Sequence, residues 1–261
     1  MREQDAPRPG VVLTERRGRL LVITLNRPDS RNAVDLAVAN GIAAALDVLD
    51  ADPELSVGVI TGAGRGFCAG LDLKAFASGE RPHVGDRGFA GIVRRAARKP
   101  LIAAIEGFAV AGGFEIALAC DLIVVARGAK LALPEVKRSL VASGGALLRL
   151  PRRMPYHAAM ELALTGEPMS AERLFELGVV NRLTEPGEAL TGALALAEII
   201  AENAPLALDA TKRIVQEAPG WPAAEMWERQ AAISDPVFAS RDAVEGARAF
   251  AEKRRPVWTG R

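Results

Sequence analysis

Residues 100–126, "PLIAAIEGFAVAGGFEIALACDLIVVA", restrict the possible folds more than any other stretch of the chain. The near-continuous apolar run "PLIAAIEG" (100–107) reads as a strand. A glycine-led helix start follows at 110–120, and a second apolar run at 121–126 reads as another strand. Strands that are apolar along their whole length, rather than at alternate residues, are covered on both faces. Strand–helix–strand order then implies a largely parallel sheet within an α/β layer architecture. The same order occurs upstream. "VGVIT" at 57–61 reads as a strand, and it leads through "GAGRG" into "FCAGLDL".

Around these units, residues 11–26 read as a hairpin turning at Arg17-Gly18. An amphipathic helix is expected from Asn32, the candidate N-cap, with Val34, Val38, Ile42, Leu46 and Leu49 on one face and an end near Asp52-Pro53. The segment "ASGERPHVGDRG" (77–88) has little to bury and is expected to be a mobile lid, with residues 77–90 touching substrate. After "KLALPEV", helices are expected at 157–165, 170–177 and 187–203, with a short apolar "VVNRL" at 179–183 between the second and third. From Pro205 onward the pattern is helical only. This suggests a core over 1–204 and a helical region over 205–261 whose apolar face packs on a neighbouring subunit or on its own core.

Several chemistries lose support. A formal net charge of +1, from 33 basic and 32 acidic residues, gives no field to draw the chain to nucleic acid or an anionic membrane. The first ten residues, "MREQDAPRPG", contain no apolar leader core, and no run of about 18 uncharged apolar residues occurs. A cytoplasmic location is expected. Cys68 and Cys120 lack metal-type spacing and read as buried thiols, and His83 and His157 sit in no ligand or nucleophile–base pattern. "GAGRGF" fails as a dinucleotide fingerprint because Phe67 stands where the third glycine belongs. No serine-hydrolase elbow or phosphate-binding P-loop is present.

Two strand-to-helix junctions rich in alanine and glycine remain, "CAGLD" and "VAGGFE". Amides at a helix start have no partner within the helix and lie at the positive end of its dipole. Two such amides aimed at one point form an oxyanion hole, although either junction alone could be a packing solution. Glu115 is the lone charge in the first turn after Gly112, and Glu135 is again isolated in "LALPEV". A helix-start preference would explain the first and a surface position the second. Taken together, beside exposed amides, they suggest acid/base chemistry at a carbonyl compound, since burial raises a carboxylate toward neutrality.

"NRPDSRNAV", "GRGFCAGLDLK", "KPLIAAIEGFAVAGGFEIALACD", "ALPEV" and "EGARAFAEKRRPVW" resemble, in order and over nearly the whole chain, the enoyl-CoA hydratase (crotonase) superfamily. The resemblance implies an α/β crotonase spiral of ββα units with a C-terminal helical trimerisation region, assembled as a homotrimer or a hexamer of two trimers. It places the oxyanion amides on Leu71 and Gly112 and the paired acids on Glu115 and Glu135, twenty residues apart. It places coenzyme A contacts at Arg31, Ala33, Ala69, Asp72, Leu73 and Lys74, with Lys253 near the phosphates. It implies no separate cofactor and no metal, coenzyme A being part of the acyl-CoA substrate. The implied reaction is addition of water across C2–C3 of a trans-2-enoyl-CoA. Carnitinyl-CoA dehydration, double-bond isomerisation and a silent acyl-CoA-binding oligomer are the alternatives. "GGFEIALACDLIVVA" and "LALPEVK" look like the carnitinyl-CoA dehydratase branch, and "CAGLDLKA" with "KRSLVASGG" resembles hydratases of bulky acyl groups. Two departures from the family pattern bear on the acyl pocket. Leu71 replaces a smaller alanine, and no proline precedes the glycine pair after Glu135.

Overall fold

Leu20 begins a strand whose side chains alternate between two separate apolar layers, and this alternation organises the molecule. The computed structural model describes residues 10–261, so the reading of the chain's first nine residues lies outside it. Strands β1 (Val12–Arg17) and β2 (Leu20–Leu25) form the expected hairpin. Helix α1 (Leu36–Ala51) leads to β3 (Val57–Gly62), and the short α2 (Leu73–Ala77) follows the first glycine-rich junction. A two-stranded ribbon, β4 (His83–Val84) and β5 (Gly88–Phe89), precedes β6 (Leu101–Ile105), β7 (Phe108–Val110), α3 (Gly112–Ala119), β8 (Leu122–Ala126) and β9 (Lys130–Ala132). Next come α4 (Ala146–Arg149), α5 (Tyr156–Thr165), β10 (Met169–Ser170), α6 (Ala171–Glu176), β11 (Arg182–Thr184) and α7 (Ala189–Ala201). Helices α8 (Pro205–Glu217), α9 (Met226–Phe238) and α10 (Arg241–Ala251) close the chain.

The central sheet runs β1-β2-β3-β6-β8-β11, parallel throughout except for the β1–β2 pair. Leu20, Val57, Val59, Ile102, Ala104 and Val124 face Ala193 and Ala197 of α7. The intervening residues, including Leu21, Ile23, Ile60, Leu101, Ala103 and Ile123, face the main core with Ile42, Leu46 and Leu49 of α1. This is the period-two consequence of the pleat, with both faces covered.

A second layer is stacked from the segments that follow each strand. Val34 bridges Leu71, Cys68 bridges Ala109, β7 pairs with β9, and β9 pairs with β10. The chain thus climbs as a spiral in which each central strand is followed by a short piece of the second sheet and then a helix. Glycine-rich junctions fall at the passage from sheet to helix, which is where the candidate amides lie.

Two expectations are corrected, and a third segment is given its place. The N-cap of α1 is Asp35, whose side chain accepts from Val38 N, and not Asn32. Asn32 is buried with φ +55, and its amide group instead staples the junction by bonding Arg27 N, Ala63 O and Gly66 O. The short apolar "VVNRL" divides between a buried turn after α6, which takes Val179 and Val180, and the start of β11 at Arg182. The segment expected to be a mobile lid is a hydrogen-bonded ribbon, anchored by Arg87, which is only 3% exposed and pairs with Asp47 of α1 at 2.5 Å.

Candidate active site

The first junction is shaped by a buried thiol. Cys68 Sγ donates to Asn32 O at 3.1 Å and accepts from Gly70 N at 3.3 Å, and burial pushes its pKa up to about 12, so it serves as a neutral hydrogen-bonding group. Gly70 has φ +88, a conformation that residues with a Cβ rarely adopt. A Cβ at that position would stand 2.8 Å from Gly112 N, so the two junctions touch. The parallel bridge uses Gly70 O and Asp72 N, which leaves the Leu71 amide between them with no backbone acceptor among the described residues.

The second junction is strained. Ala111 adopts φ +53, ψ −129, a geometry normally left to glycine and costing about 1–3 kcal/mol. Its own N–H is fixed to Ala132 O at 2.8 Å, and its carbonyl accepts from Phe114 N and Glu115 N. Gly112, the first residue of α3, likewise has no backbone acceptor among the described residues. The ring of Phe89 lies against it, 2.5 Å from where a Cβ would be.

Glu115, one turn into α3, is 4% exposed, and its Oε1 accepts from Ala146 N at 3.1 Å. Burial raises its pKa to about 7; the Glu135 charge adds to the rise, and the Ala146 and Gly144 amides and Arg149 oppose it. A Cβ on Gly144 would overlap Glu115 Oε2, so glycine is required for the carboxylate to lie there. Glu135 stands on the short 3-10 turn Pro134–Arg138 and is half-buried, with its pKa also raised by burial. Its Oε2 is buried with no hydrogen-bond partner among the described residues. Unsatisfied buried acceptors cost about 1–3 kcal/mol, and a carboxyl carrying a proton lowers that cost.

Leu71 thus follows the glycine that touches Gly112, Glu115 lies one turn along the helix that Gly112 opens, and Glu135 is close enough to Glu115 for its charge to be felt. Arg31, Ala33, Ala69, Asp72, Leu73 and Lys74 also converge, because Ala69 N bonds Arg31 O at 3.0 Å and Val34 N bonds Gly70 O at 2.8 Å. Arg31, Leu73 and Lys74 are exposed. Asp72 already caps α2 and pairs with Arg27 at 3.1 Å; Arg27 also reaches Asp35 at 3.2 Å. Lys253 lies just past the end of α10, with no hydrogen bond or ion pair to this group among the described residues. Two surface clefts, one lined by Arg241, Asp242, Glu245 and Arg254 and the other by Arg19, Glu202, Arg255 and Trp258, contain none of these residues. Sequence reasoning named no role for Gly144, Ala146 or Arg149, and Phe89 entered only as one of residues 77–90. The glycine pair in "ASGGALLR" was noted for the proline it lacks, not for the carboxylate that it faces.

An enoyl-CoA hydratase/isomerase family profile matches residues 15–261. The enoyl-CoA hydratase EchA19 of Mycobacterium tuberculosis is 42% identical over 95% of this chain and 96% of its own length. A carnitinyl-CoA dehydratase of Salmonella enteritidis is 44% identical over 94% of this chain and 97% of its own. The crystal structure of an enoyl-CoA hydratase from Mycobacterium tuberculosis H37Rv superposes with a TM-score of 0.94 at 59% identity, covering 96% of this chain and 99% of that one.

Proposed function

The chain belongs to the enoyl-CoA hydratase/isomerase family, and on that premise we propose that it reversibly adds water across the C2–C3 double bond of a trans-2-enoyl-CoA. The observation that carries this reading is a buried carboxylate, Glu115, raised to about 7 beside a second acid with an unpartnered oxygen, on the helix that Gly112 opens.

The thioester oxygen accepts from the Leu71 and Gly112 amides, which stabilise the charge that grows there when C3 is attacked. Ionised Glu115 takes a proton from water as the water oxygen bonds to C3. Glu135, protonated, gives its proton to C2; the proton gained by Glu115 then returns to Glu135 by way of solvent, so that the cycle closes with one water consumed. A base raised to about 7 is half ionised near neutrality, where general-base catalysis is most effective. The acidic limb of kcat/KM therefore lies near pH 7, with the rate falling below it as Glu115 protonates. Exposed Arg31, Leu73 and Lys74 hold the coenzyme A moiety, and Lys253 reaches its phosphates from a neighbouring subunit. The assembly is a trimer or a pair of trimers joined through the helical region 205–261, and the protein acts in the cytoplasm.

Carnitinyl-CoA dehydration uses the same two acids in reverse, and the 44% identical relative supports it as a second reading. Isomerisation requires only one carboxylate, and here two are paired. Loss of enoyl absorbance with crotonyl-CoA tests the proposal. Glu115→Gln and Glu135→Gln should each lower turnover by about 10²-fold or more while coenzyme A binding survives. Undiminished turnover in both variants would remove the reading, and turnover confined to a carnitinyl substrate would select the second.

A further inference from the structure

We propose that Arg149 is a positioning residue for this reaction: by gripping two backbone carbonyls from different parts of the chain, it fixes where the Glu115 carboxylate stands. The inference rests on the reading of Glu115 as the general base.

Helix α4 is only four residues long, far below the length at which a helix holds itself together. Yet its first amide, Ala146 N, is the donor that holds Glu115 Oε1. Something else must brace it. Arg149, the last residue of α4, folds back so that Nη1 donates to Gly144 O at 3.2 Å, fixing the peptide just before the helix. Gly145, between them, lies directly against that guanidinium. Residues 144–146 are thus the cradle of Glu115, and Arg149 clamps the first of them.

The other end of the fork goes elsewhere. Nη2 donates to Val93 O at 2.5 Å, in the segment following β5. Phe89, the last residue of β5, accepts from Val93 N at 3.3 Å and lies against Gly112. One guanidinium therefore ties the wall of the oxyanion junction to the cradle of the base, a use suited to its planar fork of donors. Neither contact neutralises it, and no carboxylate forms an ion pair with Arg149 among the described residues. Of the charged groups facing Glu115, Glu135 opposes its ionisation and Arg149 favours it. Arg153, the neighbour of Arg149, is directed to Leu118 O at 2.8 Å. Removing the guanidinium should both loosen the carboxylate and raise the pH at which it ionises.

The test is a carbon-13 NMR titration of Glu115, assigned by its absence in Glu115→Gln, in wild type, Arg149→Lys and Arg149→Met, beside the pH profile of kcat/KM. In Arg149→Met the Glu115 midpoint and the acidic limb should move up together by about one pH unit. Lysine keeps the charge but offers a single nitrogen in place of the two that reach Gly144 O and Val93 O, so Arg149→Lys should keep the midpoint while kcat falls about tenfold or more. In a Glu115→Gln background, Arg149→Met should change kcat by less than about twofold, since the effect passes through Glu115. A midpoint unmoved in Arg149→Met, or an equal loss of kcat without Glu115, overturns the proposal. If Arg149→Met does not fold, Arg149→Lys decides, and an undiminished kcat in that variant overturns it. The titration needs no turnover, so a wild type inactive on every enoyl-CoA would defeat the functional reading while the coupling of Arg149 to Glu115 was still measured.

Discussion

A carboxylate raised from its usual 4.5 to about 7 is a stability liability as well as a catalytic asset. The folded state holds the Glu115 proton more tightly than the unfolded state does. Its contribution to stability is therefore complete below pH 4.5 and is lost as pH rises through about 7, amounting to roughly 3 kcal/mol. Glutamine carries no charge at any pH. Urea unfolding should find Glu115→Gln more stable than wild type by up to about that amount at pH 8, with most of the gain gone at pH 5. An equal difference at both pH values would contradict the assignment. Glu115 was legible in the sequence because a single charge in an apolar helix stands out. Its cradle was not legible, because the partner amide belongs to residue 146 and only the folded chain brings the two together.

At the level of elements, legibility followed the range of the interactions. Strands β3, β6 and β8 and helix α1 were readable because their own residues carry the pattern. The stretch after α2 was misread as a mobile lid because what orders it lies elsewhere in the sequence. Glu80 accepts from Leu36 N at the start of α1, and Arg87 reaches Asp47 and the carbonyls of Arg95 and Ala96. These partners occupy the polar groups that composition alone assigns to solvent. Arg87→Met would leave two carbonyls unmatched, with an expected loss of about 1–3 kcal/mol. Hydrogen exchange should locate the loosening in residues 80–96 while the central sheet keeps its protection. Unchanged exchange there would show that the ribbon holds without its buried arginine.

Over the whole molecule, the parallel sheet was foreseeable from continuous apolar runs, whereas the second sheet, built from strands of two or three residues, was too short to leave a periodic signal. The helical end is the part least accounted for by a single chain. No residue of α8, α9 or α10 joins either core cluster, and Trp227, Phe238 and Phe250 are 75%, 78% and 88% exposed. Apolar surface of this kind calls for a partner. Phe238→Glu with Phe250→Glu should shift sedimentation toward the monomer with the fold of the core retained, and an unchanged sedimentation coefficient would show that this face joins no second copy. Before any such contact forms, α8 is fastened by Lys212, whose ammonium bonds Ala97 O, Lys99 O and Asp121 at 2.8, 2.8 and 2.6 Å. Those three acceptors converge only after β6 and β8 lie side by side. A nascent chain with an unfinished interior gives that lysine nothing to grasp, so the helical appendage can be fastened only once the interior stands.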